Sequence, residues 1–250
     1  MKRPKLLQLN PQFGQCAFIA DLHLSADRPD ITQAFLQFLS EQTQLDALFI
    51  MGDLFEYWIG DDIAEPFALD VADAIAQAAQ HYPIYFSHGN RDFLVDKEFA
   101  KRSQMTLLPE VQALDLYGTK ALVAHGDSLC TDDKAYQKFR RFRNHNMARW
   151  LFMRLPQRRR QKIADNLRQN SAKSKQMKSE AIMDVNPTAV DALLNRFEAD
   201  VLIHGHTHRP KLHQLATGKQ RWVVGDWYTQ GSYLMARQGE PELIQLPLAG

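Results

Sequence analysis

The sequence predicts an α/β fold built on mixed sheets, shading into α+β towards its C-terminal end. Three observations lead there. Apolar strand-like runs alternate with helical runs through the first half of the chain. Five such runs end on Asp, His or Asn. Short alternating runs then follow one another after residue 208.

"QCAFIAD" (15–21) reads as a buried strand that stops at a carboxylate. "DITQAFLQFLSEQ" has helical spacing, with Ile31, Phe35, Phe38 and Leu39 on one side. "LDALFIMGD" (45–53) is a second buried strand, again ending at Asp. "PFALDVADAIAQAAQ" is a helix, with Pro66 suited to its first turn. "YPIYFSHGN" (82–90), "KALVAHGD" (120–127) and "ADVLIHGHTH" (199–208) complete the five strands. "WVVGDW", "SYLMAR" and "ELIQLP" read together as an antiparallel end of a sheet. Residues 131–185 break the alternation. They read as helices interrupted at Pro156, inserted between the fourth and fifth strands.

The 250 residues suffice for one domain, 1–250, with 131–185 as a helical cap insertion within it. Hydrophobic residues at 45% and charged residues at 24% describe a globular chain, not a disordered one. No apolar run approaches the ~20 residues of a membrane-spanning helix. The start, "MKRPKLLQLNPQFGQ", lacks the apolar stretch of a signal peptide, so a cytoplasmic location is expected. Cys16 and Cys130 are expected as buried, reduced thiols. The net charge of +1 hides an asymmetry. Residues 134–180 hold 15 of the 30 Lys and Arg but only Asp165 and Glu180 of the acids, a net of +13 against −12 elsewhere. That is a solvated helical surface or a module that meets an anionic partner.

The strand ends carry the chemistry: Asp21 and His23 in "DLH", Asp53 in "GDLFE", Asn90, Arg91 and Asp92 in "GNRD", His125 and Asp127 in "HGD", and His206 and His208 in "GHTH". Carboxylate, imidazole and amide oxygen together suit divalent transition ions such as Mn²⁺. No Cys sits in these motifs, so a zinc–thiolate site is not supported. Glycine before a donor allows the turn that exposes it. Asp92 and Asp127 are expected to orient an imidazole or an arginine, or to cap a turn. Glu56 is expected at a donor histidine or at the surface, Trp58 in the core, and Asp61 and Asp62 in a loop. His88 is expected to fill a strand end, and His204, still inside its strand, to be a bystander.

In this order, D-x-H, GD, GN[HR][DE], H and GHxH, the motifs resemble those of the calcineurin-like metallophosphoesterases. That resemblance implies a β-sandwich of mixed sheets flanked by helices and two metal ions. One ion takes Asp21, His23, Asp53 and His208; the other takes Asp53, Asn90, His125 and His206, with Asp53 bridging. Many members carry His after the Asn, where Arg91 stands here. Arginine does not act as a general acid at neutral pH, but it stabilises charge on phosphate oxygens. A phosphate leaving group needs little protonation, so Arg91 points to a pyrophosphate substrate.

The longer stretches "FIADLHLS", "MGDLFEYWIGDD", "HGNRDFLV", "MTLLPE", "HGDSLCTDD", "NSAKSKQMKSEAIMDV" and "IHGHTHRP" resemble a narrower family, the pyrophosphohydrolases of bacterial lipid A biosynthesis. The resemblance implies hydrolysis of UDP-2,3-diacylglucosamine by attack of water at the α-phosphorus. The products are UMP and 2,3-diacylglucosamine 1-phosphate (lipid X). It implies two Mn²⁺ per chain, a catalytic set of Asp53, Arg91 and His125, and head-group contacts from Asn90, Arg91, Asp133, Ser171, Lys175, Lys178 and His206. It places the protein peripherally on the cytoplasmic side of the inner membrane, with neither nucleic acid nor an obligate protein partner implied. The first fifteen residues precede the point where that family usually begins and are expected to form an unattached tail. Two other readings remain open from the residues: a phosphoesterase for soluble substrates, and a membrane-associated scaffold that keeps its metals structurally.

Overall fold

A computed structural model describes residues 5–177 and 184–248, the side chains of 169–177 excepted. Two six-stranded mixed sheets pack face to face. One sheet is built of β2 (Gln15–Ile19), β3 (Ala47–Ile50), β4 (Ile84–Phe86) and β5 (Thr106–Leu107), all parallel; β11 (Gly231–Arg237) and β12 (Glu240–Leu246) extend it antiparallel beyond β2. The other runs β1 (Leu7–Gln8), β6 (Val111–Leu116), β7 (Thr119–Ala124), β8 (Val201–His204), β10 (Gln220–Val223) and β9 (Lys211–Gln214).

Side-chain alternation along each strand makes the layers. In β2, Cys16 and Phe18 face the core between the sheets, where they meet Phe49, Leu114, Val123, Ile203 and Trp222. Ala17 and Ile19 face the other way, onto α1 (Pro29–Glu41) and α2 (Pro66–Ala78). Phe18, Phe49 and Tyr85 stack from strand to strand at 4.9 and 5.1 Å between ring centroids. The outer face of the second sheet buries Leu122 and Leu202 against Val190, Leu194 and Phe197 of α7 (Pro187–Phe197). The parallel strands β2, β3 and β4 and, across the sandwich, β7 and β8 therefore run out at one end.

Several expectations are corrected. "WVVGDW" belongs to β10 beside β8, while "SYLMAR" and "ELIQLP" form β11 and β12 of the opposite sheet. One-dimensional alternation gives a strand its faces but not its partner. The hairpin strand β6 was not read, although "VQALDL" pairs antiparallel with β7 over six residues. The inserted helices number three among the described residues, not two: α4 (Lys134–Arg143), α5 (Asn146–Met153) and α6 (Gln157–Met177). The poor helix formers at 144–146 end α4, and His145 caps α5 by accepting from the Met147 N–H. No helix of the described residues is long and apolar enough to cross a membrane. Cys16 and Cys130 are buried and unbridged.

The N-terminal segment is attached rather than loose. β1 pairs parallel with β6, and the Gln112 amide donates to the Lys5 carbonyl at 2.7 Å. Its anchor is the buried Asp46, whose carboxylate accepts from the N–H groups of Gln12 (2.6 Å), Phe13 (2.7 Å) and Gln15 (3.1 Å) and from the Tyr117 hydroxyl (2.7 Å). Burial alone raises a carboxyl pKa, but the Phe13 N–H and the Tyr117 hydroxyl outweigh it and hold Asp46 below its ordinary value. Asp46→Ala leaves these donors unpaired and is expected to lower stability at pH 7 by about 2–3 kcal/mol in urea unfolding. Because the folded-state pKa is the lower one, this contribution is complete above the unfolded value of ~3.9 and fades as pH falls through the folded value. The gap between wild type and variant should close in that window.

Candidate functional site

The strand ends converge where the two sheets run out together. Asp21, His23 and His208 offer donor atoms within 4.8 Å of one another, and so do Asp21, Asp53 and His125. Asp53 Oδ2 lies 3.9 Å from His23 Nε2 and 3.8 Å from His125 Nε2, between the two groups. Asn90 Oδ1 and His206 Nδ1 each approach His125 Nε2 at 3.2 Å. All seven residues proposed from the sequence as metal donors are thus brought together, and Asp21 reaches into both groups.

The backbone at this site is unusual. Asp21, His23, Asp53, His206 and His208 all have positive φ, between 52° and 67°, a region costly for side chains other than glycine's. The strain is held by hydrogen bonds between loops. Asp21 N–H donates to the Gly52 carbonyl at 3.1 Å and His23 N–H to the Asp53 carbonyl at 2.9 Å. His206 N–H, from the opposite sheet, donates to Asp21 Oδ2 at 2.6 Å, and Arg91 N–H donates to Asp53 Oδ1 at 2.8 Å. The glycine expectation therefore needs refinement. Gly52 does take φ +86°, but Gly89 and Gly205 matter as close approaches. A Cβ on Gly89 would fall on the Asp53 carboxylate, and one on Gly205 would lie 2.5 Å from Asp21 Oδ2.

Behind the donors stands a ring of supports. His125 donates from Nδ1 to the Met51 carbonyl at 2.8 Å, which turns Nε2 towards the cluster. His23 Nδ1 lies 3.3 Å from Glu56, which also accepts from Arg91 Nη1 at 3.1 Å. His208 Nδ1 lies 3.3 Å from Asp226, and Tyr228 stacks on His23 with centroids 5.0 Å apart. Asp226 and Tyr228 were missed from the sequence, although "VVGDW" repeats the strand–Gly–Asp signal of Asp53. Asp92 orients neither imidazole nor arginine; it accepts from the N–H groups of Gly89 (2.8 Å) and Leu54 (2.7 Å) and ties two donor loops together. Asp127 does engage arginines, accepting from Arg140, Arg143 and the Tyr136 hydroxyl of α4 at 2.7–2.8 Å.

The cluster is a field built for positive charge. Burial works against ionised His208, yet Asp21 and Asp226 outweigh it and raise its pKa to about 10. Burial, and then His125 beside it, push His206 down to about 3, which keeps that imidazole neutral. Burial and the neighbouring Asp53 push Asp92 up to about 7. Asp21 Oδ1 and His23 Nε2 are buried without a hydrogen-bond partner. Unpartnered buried oxygen and nitrogen atoms, aimed at one another and set between two carboxylates, fit divalent cations.

The remaining residues named from the sequence fall as follows. His204 is buried in β8, outside both donor groups, with Nδ1 2.8 Å from the Gly205 carbonyl oxygen. Asp133 caps α4 by accepting from the Tyr136 N–H. Ser171 and Lys175 lie on the last turns of α6, and Lys178 lies outside the described residues. His88 Nε2 pairs with the Val95 carbonyl at 2.7 Å. Trp58 packs on Phe55 and Phe99 and donates its indole N–H to Asp61. Asp61 is more than a loop residue, since it accepts from the Asp96 and Phe99 N–H groups at the start of α3 (Lys97–Ser103). Asp62 holds Arg160 of α6 at 2.8 Å.

The sequence pattern of the calcineurin-like phosphoesterases matches residues 15–210. A protein of Shewanella piezotolerans named UDP-2,3-diacylglucosamine hydrolase is 62% identical over 231 residues, covering 92% of this chain and 97% of its own length. One of the same name from Shewanella halifaxensis is 61% identical with the same coverage. The solved structure of an archaeal phosphodiesterase is similar at a TM-score of 0.50 and 12% identity, covering 93% of this chain and 99% of its own, a likeness of fold alone.

The close approaches make a test. Gly89→Ala is expected to cost about 3 kcal/mol of stability and to weaken divalent-cation binding, because its Cβ displaces Asp53. Gly118→Ala, with nothing within 4 Å of its Cβ, carries only the left-handed strain of about 1–2 kcal/mol. Urea unfolding and calorimetric titration with Mn²⁺ separate the two.

Proposed function

The chain belongs to the calcineurin-like phosphoesterase family, and from that premise we propose that it hydrolyses the pyrophosphate bond of UDP-2,3-diacylglucosamine. Attack at the α-phosphorus gives UMP and 2,3-diacylglucosamine 1-phosphate. The observation that carries this reading is the cluster of seven donors with the Arg91 guanidinium beside it, in a chain this similar to hydrolases of that name.

Asp21, His23, Asp53 and His208 would hold one divalent cation, Mn²⁺ in our reading, and Asp53, Asn90, His125 and His206 a second. When bound, such a pair supplies positive charge to the phosphoryl oxygens and acidifies water. Arg91 adds a permanent charge and a fork of donors for phosphate oxygens, and Glu56 holds that fork beside His23. Arginine has no proton to give at neutral pH, which matches a phosphate leaving group better than an alkoxide. Asn90, Arg91, Asp133, Ser171, Lys175, Lys178 and His206 are our assignment for the head group.

The inserted helices suit the lipid part. A cavity of about 370 Å³ opens between α6 and the body, lined by Leu24, Phe55, Trp58, Ile63 and Phe67 together with the charged Asp27, Glu65, Asp165 and Arg168. On the outside, Phe142, Met147, Trp150 and Leu151 are exposed, Arg154 lies over the Trp150 ring at 3.5 Å, and Arg141 and Arg158 are exposed nearby in sequence. Aromatic, aliphatic and basic side chains on one short stretch favour an anionic lipid interface. We therefore assign the protein peripherally to the cytoplasmic face of the inner membrane.

With Mn²⁺, the purified protein should release UMP from UDP-2,3-diacylglucosamine and not from UDP-N-acetylglucosamine; equal cleavage of both would remove the role given to the inserted helices. In ¹⁸O-water the label should appear in UMP. Asp53→Ala, His206→Asn and His208→Asn should each lose nearly all turnover, while His204→Asn keeps most of it. Phe142→Glu with Trp150→Glu should reduce co-sedimentation with anionic vesicles, and an unchanged bound fraction would reject this face as the membrane contact.

A further inference from the structure

The two halves of the donor cluster are supported from different parts of the chain. Asp21, His23 and His208 are backed by Glu56, Asp226 and Tyr228, all from the sandwich. Asn90, His125 and His206, besides the Met51 carbonyl behind His125, are backed by α4, the first inserted helix. Arg143 donates from Nη1 to the Asn90 carbonyl at 2.6 Å and from Nη2 to Asp127, two residues past His125, at 2.8 Å. Its guanidinium covers the Phe93 ring at 4.8 Å, and the Tyr136 ring of the same helix lies 6.1 Å from that of His206, the planes inclined by 29°.

Arg143 is only 6% exposed, and its Nε is buried without a hydrogen-bond partner. A buried guanidinium is costly unless its geometry returns something. Anchoring α4 does not require it, because Arg140 already joins Asp127 to Glu110 at 2.8 and 2.9 Å. What Arg143 alone does is grip the main chain of Asn90 and the carboxylate following His125 in one rigid fork.

We propose that Arg143 is a positioning residue for one half of the metal centre. It sets the Asn90 and His125 donors against each other, so α4 governs the affinity of the cation held by Asn90, His125 and His206. The cation held by Asp21, His23 and His208 is left to the sandwich. The inference rests on the two-cation reading above. By linkage, whatever lifts α4 loosens that same cation, and loss of the cation loosens α4.

The test is Mn²⁺ binding by equilibrium dialysis, with electron paramagnetic resonance to detect coupled pairs, on the full chain and on Arg143→Leu, Arg143→Lys and Arg102→Ala. Arg102 serves as the control, being an exposed partner of Asp73. Wild type and control should bind two ions. Arg143→Leu should keep one at wild-type affinity, weaken the other ~10–100-fold, and lose the coupled signal at stoichiometric metal. Arg143→Lys, which retains the charge but not the fork, should show the same selective loss to a smaller degree, and it decides the matter if the leucine variant does not fold. Two ions at unchanged affinity in the Arg143 variants, or equal weakening of both, would overturn the inference. Fewer than two ions in the wild type would overturn the two-cation reading beneath it.

Discussion

Two carboxylates, Asp21 and Asp53, are buried next to each other where the sheets run out, and the rest of the site is organised around that fact. Each is almost wholly removed from water, which is tolerable only if hydrogen bonds and positive charge compensate. Main-chain N–H groups of His206 and Arg91 supply part of the compensation. The first of these crosses from one sheet to the other, so the carboxylate pair also fixes how the two sheets meet. The imidazoles ranged around the pair supply the rest, and the rise in the His208 pKa records how strongly this site draws in positive charge.

The compensation is stored in backbone as well as in side chains. Five donors in left-handed conformations would be unstable in isolated loops. Here the loops hold one another: Asp92 ties the Gly89 and Leu54 turns, Gly89 lies against Asp53, and Gly205 lies against Asp21. Such mutual packing makes the cluster rigid before any ligand arrives, which is what preorganised electrostatic catalysis requires. The inserted helices join this rigid unit through α4 and through α6. Asp127 gathers Tyr136, Arg140 and Arg143, while Arg160 on α6 reaches Asp62 and the Ile59 carbonyl. Cover and centre therefore form one mechanical body along α4, while α5 turns Met147, Trp150 and Leu151 outward and packs Phe152 and Met153 inward.

Much of the site was legible in advance because its chemistry is local. An Asp, Asn or His at the end of an apolar strand, usually beside a Gly, is written in consecutive residues, and five such strand ends in one order gave all seven candidate donors. Glu56 was within reach for the same reason, lying three residues beyond Asp53. Asp226 carried the same signal and was passed over because "WVVGDW" reads with the later runs as an antiparallel end of a sheet, whereas its strand pairs parallel with β8. Arg143 carried no signal at all: among fifteen basic residues between 134 and 180, nothing in the chain marks Arg143 and Arg160 as the ones that are buried among the described residues.

The sequence by itself determined the strands β2, β3, β4, β7 and β8, the helices α1 and α2, and that the candidate donors gather at strand ends. Periodicity and residue type are properties of neighbours along the chain. Only the tertiary structure decided that β10 lies with β8 while β11 lies with β2, that the N-terminal segment is fastened to Asp46, and that Asp21 faces both donor groups. Those outcomes depend on contacts between residues tens to more than two hundred positions apart. Packing and hydrogen bonding of the finished sandwich choose such contacts, and no short stretch of sequence encodes them.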